Sequence, residues 1–262
     1  MDLGLTGKRA LVMASSRGLG LACAEALAAE GAHVLLCGRS TDRLQAAADA
    51  INGRGAGRAD FVTLDLTAAD AAETLARQGE AVLGGVDILV NNTGGPPPGR
   101  MADADLAVMA AQFQTMVMTV ADVTARLLPG MRERGWGRII TIGSSGVIQP
   151  IPTLGLSNAL RSALVGWSKS LSNDVAADGV TVNMLLPGRI HTERVDELDA
   201  AAANRTGQSV DEARAASRAT IPAGRYGRVE EFGAVAAFLA SEQASYVTGS
   251  LLRCDGGAIK SV

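Results

Sequence analysis

The sequence predicts an α/β domain built on one doubly wound, seven-stranded parallel sheet with helices on both faces. Three observations carry this. Apolar runs of strand length alternate with segments of helical periodicity along the chain. The strand segments are apolar almost throughout, the pattern of strands covered on both faces. Glycine-containing turns follow several strands, where open α/β sheets take their ligands. Such alternation implies right-handed crossovers within a single domain, 1–262.

The first strand, 9–13, runs into Ser15-Ser16-Arg17-Gly18-Leu19-Gly20 and then a helix over 19–30. A turn of this kind lets backbone approach a pyrophosphate and points free N–H groups of a helix N-terminus at it. The second strand, 33–37, leads through Gly38, Arg39 and Ser40 into a helix over 41–52, and a polar turn follows at 53–57. The third, 60–64, is followed by Asp65 and Leu66 and a helix over 68–83. The fourth, 86–90, ends in Asn91-Asn92-Thr93-Gly94; a stiff Gly/Pro loop and a long helix over 106–134 come next. The fifth, 138–142, ends in Gly143-Ser144-Ser145 ahead of a helix over 152–177. The sixth, 180–185, gives way to Pro187-Gly188. Segment 193–221 breaks the rhythm: it is Ala-rich and charged, interrupted at Gly207, and Ser209-Val210-Asp211-Glu212 reads as a capping box. A helical pair there is placed to act as a lid over the ligand crevice; an ordered surface insertion is the alternative. A helix over 229–240, a strand over 250–253 and Asp255-Gly256-Gly257 complete the chain.

The formal net charge is −3 with no basic stripe, which argues against a nucleic-acid partner. Cys23, Cys37 and Cys254 have no metal-ligand spacing, and the only histidines are His33 and His191, so no metal site is expected. The N-terminal stretch has no charged segment followed by an apolar one, and the longest apolar runs are broken well before about 20 residues. The expectation is a cytoplasmic protein with no membrane partner.

In their order and spacing, these motifs resemble the short-chain dehydrogenase/reductase family, in particular its 3-oxoacyl carrier-protein reductase-like members. The resemblance covers almost the whole chain. It implies a Rossmann-type fold, a nicotinamide cofactor, a small-molecule carbonyl substrate, and assembly into homotetramers or homodimers through the long helices at 106–134 and 152–177. Family members usually carry Thr-Gly where this chain has Met13-Ala14, and a Cβ at Ala14 restricts positive φ. Asp65, with Leu66 beside it, resembles the residue contacting adenine. The segment Asn91-Asn92-Thr93-Gly94 resembles the family's Asn-Asn-Ala-Gly. For both, structural and ligand roles stay open. Pro187, Gly188, Ile190 and Thr192 are implied to flank the nicotinamide.

An acid after the second strand would bind the adenosine ribose and repel a 2′-phosphate. None is present there; Arg39 can fork onto a phosphate and Arg17 can clamp its other side, so NADP(H) is expected over NAD.

The reaction site departs from the family. There a tyrosine gives the proton, a lysine tunes it and holds the ribose, a serine bonds the substrate oxygen, and an asparagine holds a relay water. Ser144 matches the serine. The tyrosine position is Ser157, the lysine position Arg161 on the same helix face, and the asparagine position falls at about Met116. An aliphatic hydroxyl is a far weaker acid than a phenol, and Arg is a poor proton shuttle. Arg161 keeps the ability to hold ribose hydroxyls, stabilise an oxyanion or bind a carboxylate. Two readings follow. One is an atypical NADP(H)-dependent reductase, acting through Ser144, Ser157 and Arg161, with its proton drawn from His191, a lid carboxylate such as Glu193, water or the substrate. The other is an NADP(H)-binding scaffold with a lyase, isomerase or cofactor-sensing role. Pocket walls are expected from 95–100, 146–156 and the lid, mostly apolar.

Overall fold

Each strand-length apolar run lies in one sheet of the computed structural model, which describes residues 2–261. The strands are β1 (Arg9–Val12), β2 (His33–Gly38), β3 (Arg58–Thr63), β4 (Ile88–Asn91), β5 (Gly137–Ile142), β6 (Val180–Pro187) and β7 (Leu251–Cys254). Their order is β3-β2-β1-β4-β5-β6-β7, with every neighbouring pair parallel. The helices are α1 (Gly18–Ala29), α2 (Thr41–Asn52), α3 (Ala71–Leu83), α4 (Leu106–Phe113), α5 (Thr119–Glu133), α6 (Gly155–Val175), α7 (Glu193–Thr206), α8 (Val210–Ala219) and α9 (Val229–Ala240). This is the Rossmann-type sheet. Leu11 of β1 stands opposite Leu35 of β2 on one side and Leu89 of β4 on the other. The chain therefore reverses direction of growth at β1, and a crevice opens at the C-terminal ends of β1 and β4.

Strand side chains alternate between two cores. Val12, Leu36, Val90 and Ile140 pack with Cys23 and Leu27 of α1 and Phe232 and Leu239 of α9. Leu11, Leu35, Leu89 and Ile139 pack with Leu75 of α3, Val120 and Leu127 of α5 and Leu164 of α6. Both faces are covered, which is why the strands read as unbroken apolar runs. Each leucine so enclosed contributes roughly 1.5–3 kcal/mol.

The differences from the expected bounds have physical causes. β3 starts two residues early, because an edge strand with one open side buries only Ala59 fully and its composition marks its ends poorly. The helix expected from 152 starts at Gly155: Thr153 has φ 66, which no helix accommodates. The long helix over 106–134 is not uniform. One π turn, Gln114–Met118, separates α4 from α5, and the Thr119 hydroxyl donates to the Gln114 carbonyl at 3.1 Å, five residues back. The apolar run is also longer than expected: Leu106–Glu133 is long and apolar enough to cross a membrane by length and composition. Met116, Val117, Val120 and Val123 are buried, while Leu106, Val108, Phe113 and Met118 are exposed. Gly207 ends α7 in the left-handed conformation, and the Ser209–Glu212 capping box opens α8.

Candidate functional site

The turn from β1 to α1 is laced to its neighbours by the backbone and by buried polar side chains. Met13 N–H donates to the Val90 carbonyl at 3.0 Å, and Ser15 N–H to the Cys37 carbonyl at 2.8 Å. The Ser15 hydroxyl is fully buried; it donates to the Val12 carbonyl at 2.7 Å and accepts from Cys37 N–H at 3.0 Å. Ser15 thus shapes the turn from behind. Ala14 adopts φ 46, the left-handed conformation that a glycine would hold without strain. Asn92 Nδ2 donates to the Ala14 carbonyl at 3.1 Å and so steadies that residue from β4. A Cβ on Gly20 would lie 2.6 Å from the Ala14 carbonyl oxygen, so only glycine permits this helix start beside the turn. Gly18, at φ 60, has only the Thr192 methyl near its open side, at 3.8 Å. No side chain caps the N-terminus of α1. A cradle without side-chain bulk and an uncapped helix start fit a pyrophosphate.

Three arginines, Arg17, Arg39 and Arg43, lie just past the C-terminal ends of β1 and β2. Arg39 is exposed after β2, and its charge helps hold Asp65 below the usual carboxylate range, behind the larger effect of the Thr67 N–H and hydroxyl bonds. Ser40 caps α2 by accepting from Arg43 N–H at 3.4 Å. Arg43, which the sequence reading passed over, joins Arg17 on the Glu193 carboxylate; its Nη1 lies 3.6 Å away. Leu66 is buried below them, 8% exposed.

The Asn91 side chain turns into the protein. It is 1% exposed, and its Nδ2 donates to Thr124 of α5 at 3.1 Å and to Thr141 of β5 at 3.5 Å. It ties the sheet to the helix behind it, while Thr93, 8% exposed, and the open Gly94 continue toward the crevice. Pro187 ends β6, and Gly188 passes so close to Asp255 that a Cβ there would lie 2.6 Å from its Cα. That contact explains the Asp255-Gly256-Gly257 turn, whose carboxylate accepts from Gly257 N–H at 2.9 Å and Ile259 N–H at 3.0 Å. Ile190 is buried, 4% exposed, and Thr192 precedes α7 beside Gly18.

At the reaction end, the Ser144 hydroxyl oxygen accepts from Gly146 N–H at 3.0 Å, which fixes its direction and leaves its hydrogen free to donate. Arg161 of α6 donates from Nη1 to the Ile142 carbonyl at 2.8 Å, two residues before Ser144. Burial, reinforced by the charge of Arg194, pushes the Arg161 guanidinium down to about 10, so it stays protonated at neutral pH. Ser157 lies one helical turn before Arg161 and is half-buried; its hydroxyl has no hydrogen-bond partner among the described residues. Met116 is fully buried within the π turn and offers no polar side chain.

The two side chains named as alternative proton sources each face a charged partner. Glu193 is held by Arg17 and Arg43. His191 faces Asp196 at 3.4 Å and lines a cavity of about 300 Å³ with Arg214, Arg218 and Tyr226. A second cavity of about 270 Å³ lies between 98, 151–154 and α7; its walls include Pro98, Ile151, Leu154, Leu198 and Arg189. Arg194 of α7, also missed in the sequence, donates from Nη2 to the Pro96 carbonyl at 3.3 Å and bridges the crevice. Among the described residues no cluster of His, Cys, Asp and Glu is built to hold a metal.

A family model described as enoyl-(acyl carrier protein) reductase matches residues 13–258. Over 256 residues the chain is 37% identical to the 3-oxoacyl-(acyl-carrier-protein) reductase FabG of Escherichia coli, covering 96% of this chain and 97% of that protein. The L-sorbose reductase of Gluconobacter frateurii, solved with NADPH and L-sorbose, superimposes with a TM-score of 0.94 at 32% identity over the full length of both chains. A solved short chain dehydrogenase/reductase family protein matches with a TM-score of 0.84 at 34% identity, again over both full lengths. With fold, motif order and near-complete matches in agreement, the chain belongs to the short-chain dehydrogenase/reductase family of oxidoreductases.

Proposed function

We propose that the protein is an NADP(H)-dependent reductase of small carbonyl or conjugated carbonyl compounds that works without the family's tyrosine and lysine. The observation that carries this reading is the charged Arg161 guanidinium anchored two residues from the oriented hydroxyl of Ser144. Bound NADPH would supply the hydride. The N-terminus of α1 with Gly18 holds the pyrophosphate, and Arg17, Arg39 and Arg43 supply the cations for a 2′-phosphate. Thr192 and the Pro187-Gly188 turn position the nicotinamide. Ser144 donates to the substrate oxygen, and the positive charge of Arg161 stabilises the oxyanion as it forms. The Ser157 hydroxyl is too weak an acid to deliver the proton, which comes to that oxygen from solvent. The helices α7 and α8 act as the lid. A second copy of the chain covers Leu106, Val108 and Phe113 of α4 and Met118 of the π turn, which are exposed in this chain.

NADPH oxidation across a panel of ketones, imines and enones tests the reading, together with titration of both cofactors. Turnover of at least one class is expected. NADPH should bind more tightly than NADH, with the preference falling about tenfold in Arg39→Ala. Tight NADPH binding with no turnover of any class would overturn the reductase reading in favour of a non-redox role.

A further inference from the structure

Partly buried arginines in this molecule come with carboxylates. Arg9 and Arg134 share Asp87, Arg189 pairs with Asp199, and Arg214 pairs with Asp196 and Asp199. Arg138, the most buried of all, instead donates to the carbonyls of Ser241, Gly137 and Gly179 and stacks on Trp136. Arg161 has neither solution. It makes one hydrogen bond, to the Ile142 carbonyl, and no carboxylate lies within 4.0 Å of it among the described residues. Burial lowers the Arg161 guanidinium, and the like charge of Arg194 lowers it further. Arg194 is half-exposed and pairs with Glu197 at 3.0 Å, so the buried cation left without a carboxylate is Arg161, which is unfavourable unless an anion completes its site.

The surroundings limit what that anion is. Arg194 is held over the crevice by its bond to Pro96, and the loop carrying Pro96 is stitched to the start of α6 by Gly99 N–H to the Thr153 carbonyl and Gly155 N–H to the Gly99 carbonyl at 3.0 Å. The cavity between that loop and α7 has apolar walls at Pro98, Ile151, Leu154, Leu198 and Ala201, with Arg189 and Arg205 on its lining, which suits a short chain bearing an acid. Ile142 and Ser144 are two residues apart, at most about 7 Å of extended backbone. An anionic group in the fork of Arg161 is therefore close to a carbonyl held by Ser144.

We propose that the substrate of this cleft is a short oxo acid, whose carboxylate lies one or two carbons from the reacting carbonyl and is bound by Arg161 with support from Arg194. The proposal rests on the reductase reading, since it names the substrate class of the same site. It is tested by calorimetric binding of 2-oxo and 3-oxo acids of four to eight carbons, and of their methyl esters, to the protein loaded with NADP⁺, where no turnover intervenes. The acids should bind at least about tenfold more tightly than the esters. Arg161→Gln should abolish that ratio, Arg194→Gln should reduce it, and Arg161→Lys should keep part of it. Equal binding of acid and ester, or no binding of either at millimolar concentration, overturns the proposal. So does an unchanged ratio in Arg161→Gln accompanied by weaker NADP⁺ binding, which makes Arg161 a ribose contact. Acid preference without NADPH oxidation by any acid would leave the proposal standing and sink the reductase reading; reduction of esters as fast as acids would do the reverse.

Discussion

Ser144 and Ser157 carry the same hydroxyl in different settings. Ser144 is aimed by Gly146 N–H, whereas Ser157 has no protein partner to orient it. Ser144→Ala is expected to lower kcat/KM by about 10²-fold, the loss of one oriented oxyanion donor. Ser157→Ala should lower it by less than about threefold, and a larger loss would show its hydroxyl taking part in proton transfer. NADPH oxidation with the best substrate of the panel measures both. Ser157→Tyr combined with Arg161→Lys should raise turnover of simple ketones where the pocket has room. Ser157 and Arg161 were readable because a spacing of four on one helix carries them to one face, and Ser144 because it closely follows an apolar strand. Arg43 and Arg194 were not, because each occupies an ordinary helix position and only the fold brings it to the cleft. The burial of Asn91 was equally hidden: a polar residue ending an apolar strand reads alike whether it turns to the crevice or to Thr124.

The elements follow the sequence closely where their signals are local. Gly207, Ser209 and Glu212 mark the break between α7 and α8, and the reciprocal bonds of Ser209 and Glu212 are present. Ser209→Ala should cost about 1 kcal/mol of local stability. It should appear as faster amide exchange across Val210–Ala219 with little change in the global melting temperature. Unchanged exchange would mean that packing against α7, rather than the cap, holds α8. The π turn at Gln114–Met118 left no such signal, since no glycine or proline marks it in the chain. The late start of α6 follows from a left-handed Thr153, a residue type that rarely adopts that conformation and so gives no warning of it.

At the scale of the whole molecule, Asp87 clamps the sheet to the helices. Its carboxylate takes Arg9 of β1 at 2.7 Å and Arg134, just past α5, at 3.0 Å. Burial opposes its ionisation, but the bonds from Arg9 and the charges of Arg9 and Arg134 outweigh it and hold the carboxyl below its usual range. A depressed folded value means that this stabilisation is present above the unfolded value of about 3.9 and is lost as pH falls through the folded one. Asp87→Asn should therefore cost about 3 kcal/mol at pH 7. In denaturant titrations the gap to wild type should close as the pH falls below about 4; a gap independent of pH would place the cost in packing. The strand order has another consequence, felt before the protein is complete. β1 is paired on both sides, but its second neighbour, β4, ends only at Asn91. At synthesis rates of about 5–20 residues per second, the ribosome needs roughly 4–16 s to pass from one to the other. During that interval the first three strands can pair while one border of β1 stays bare and apolar, open to another nascent chain. A fragment ending at residue 85 is expected to sediment as aggregate, and one extended past β5 to stay in the supernatant in greater yield.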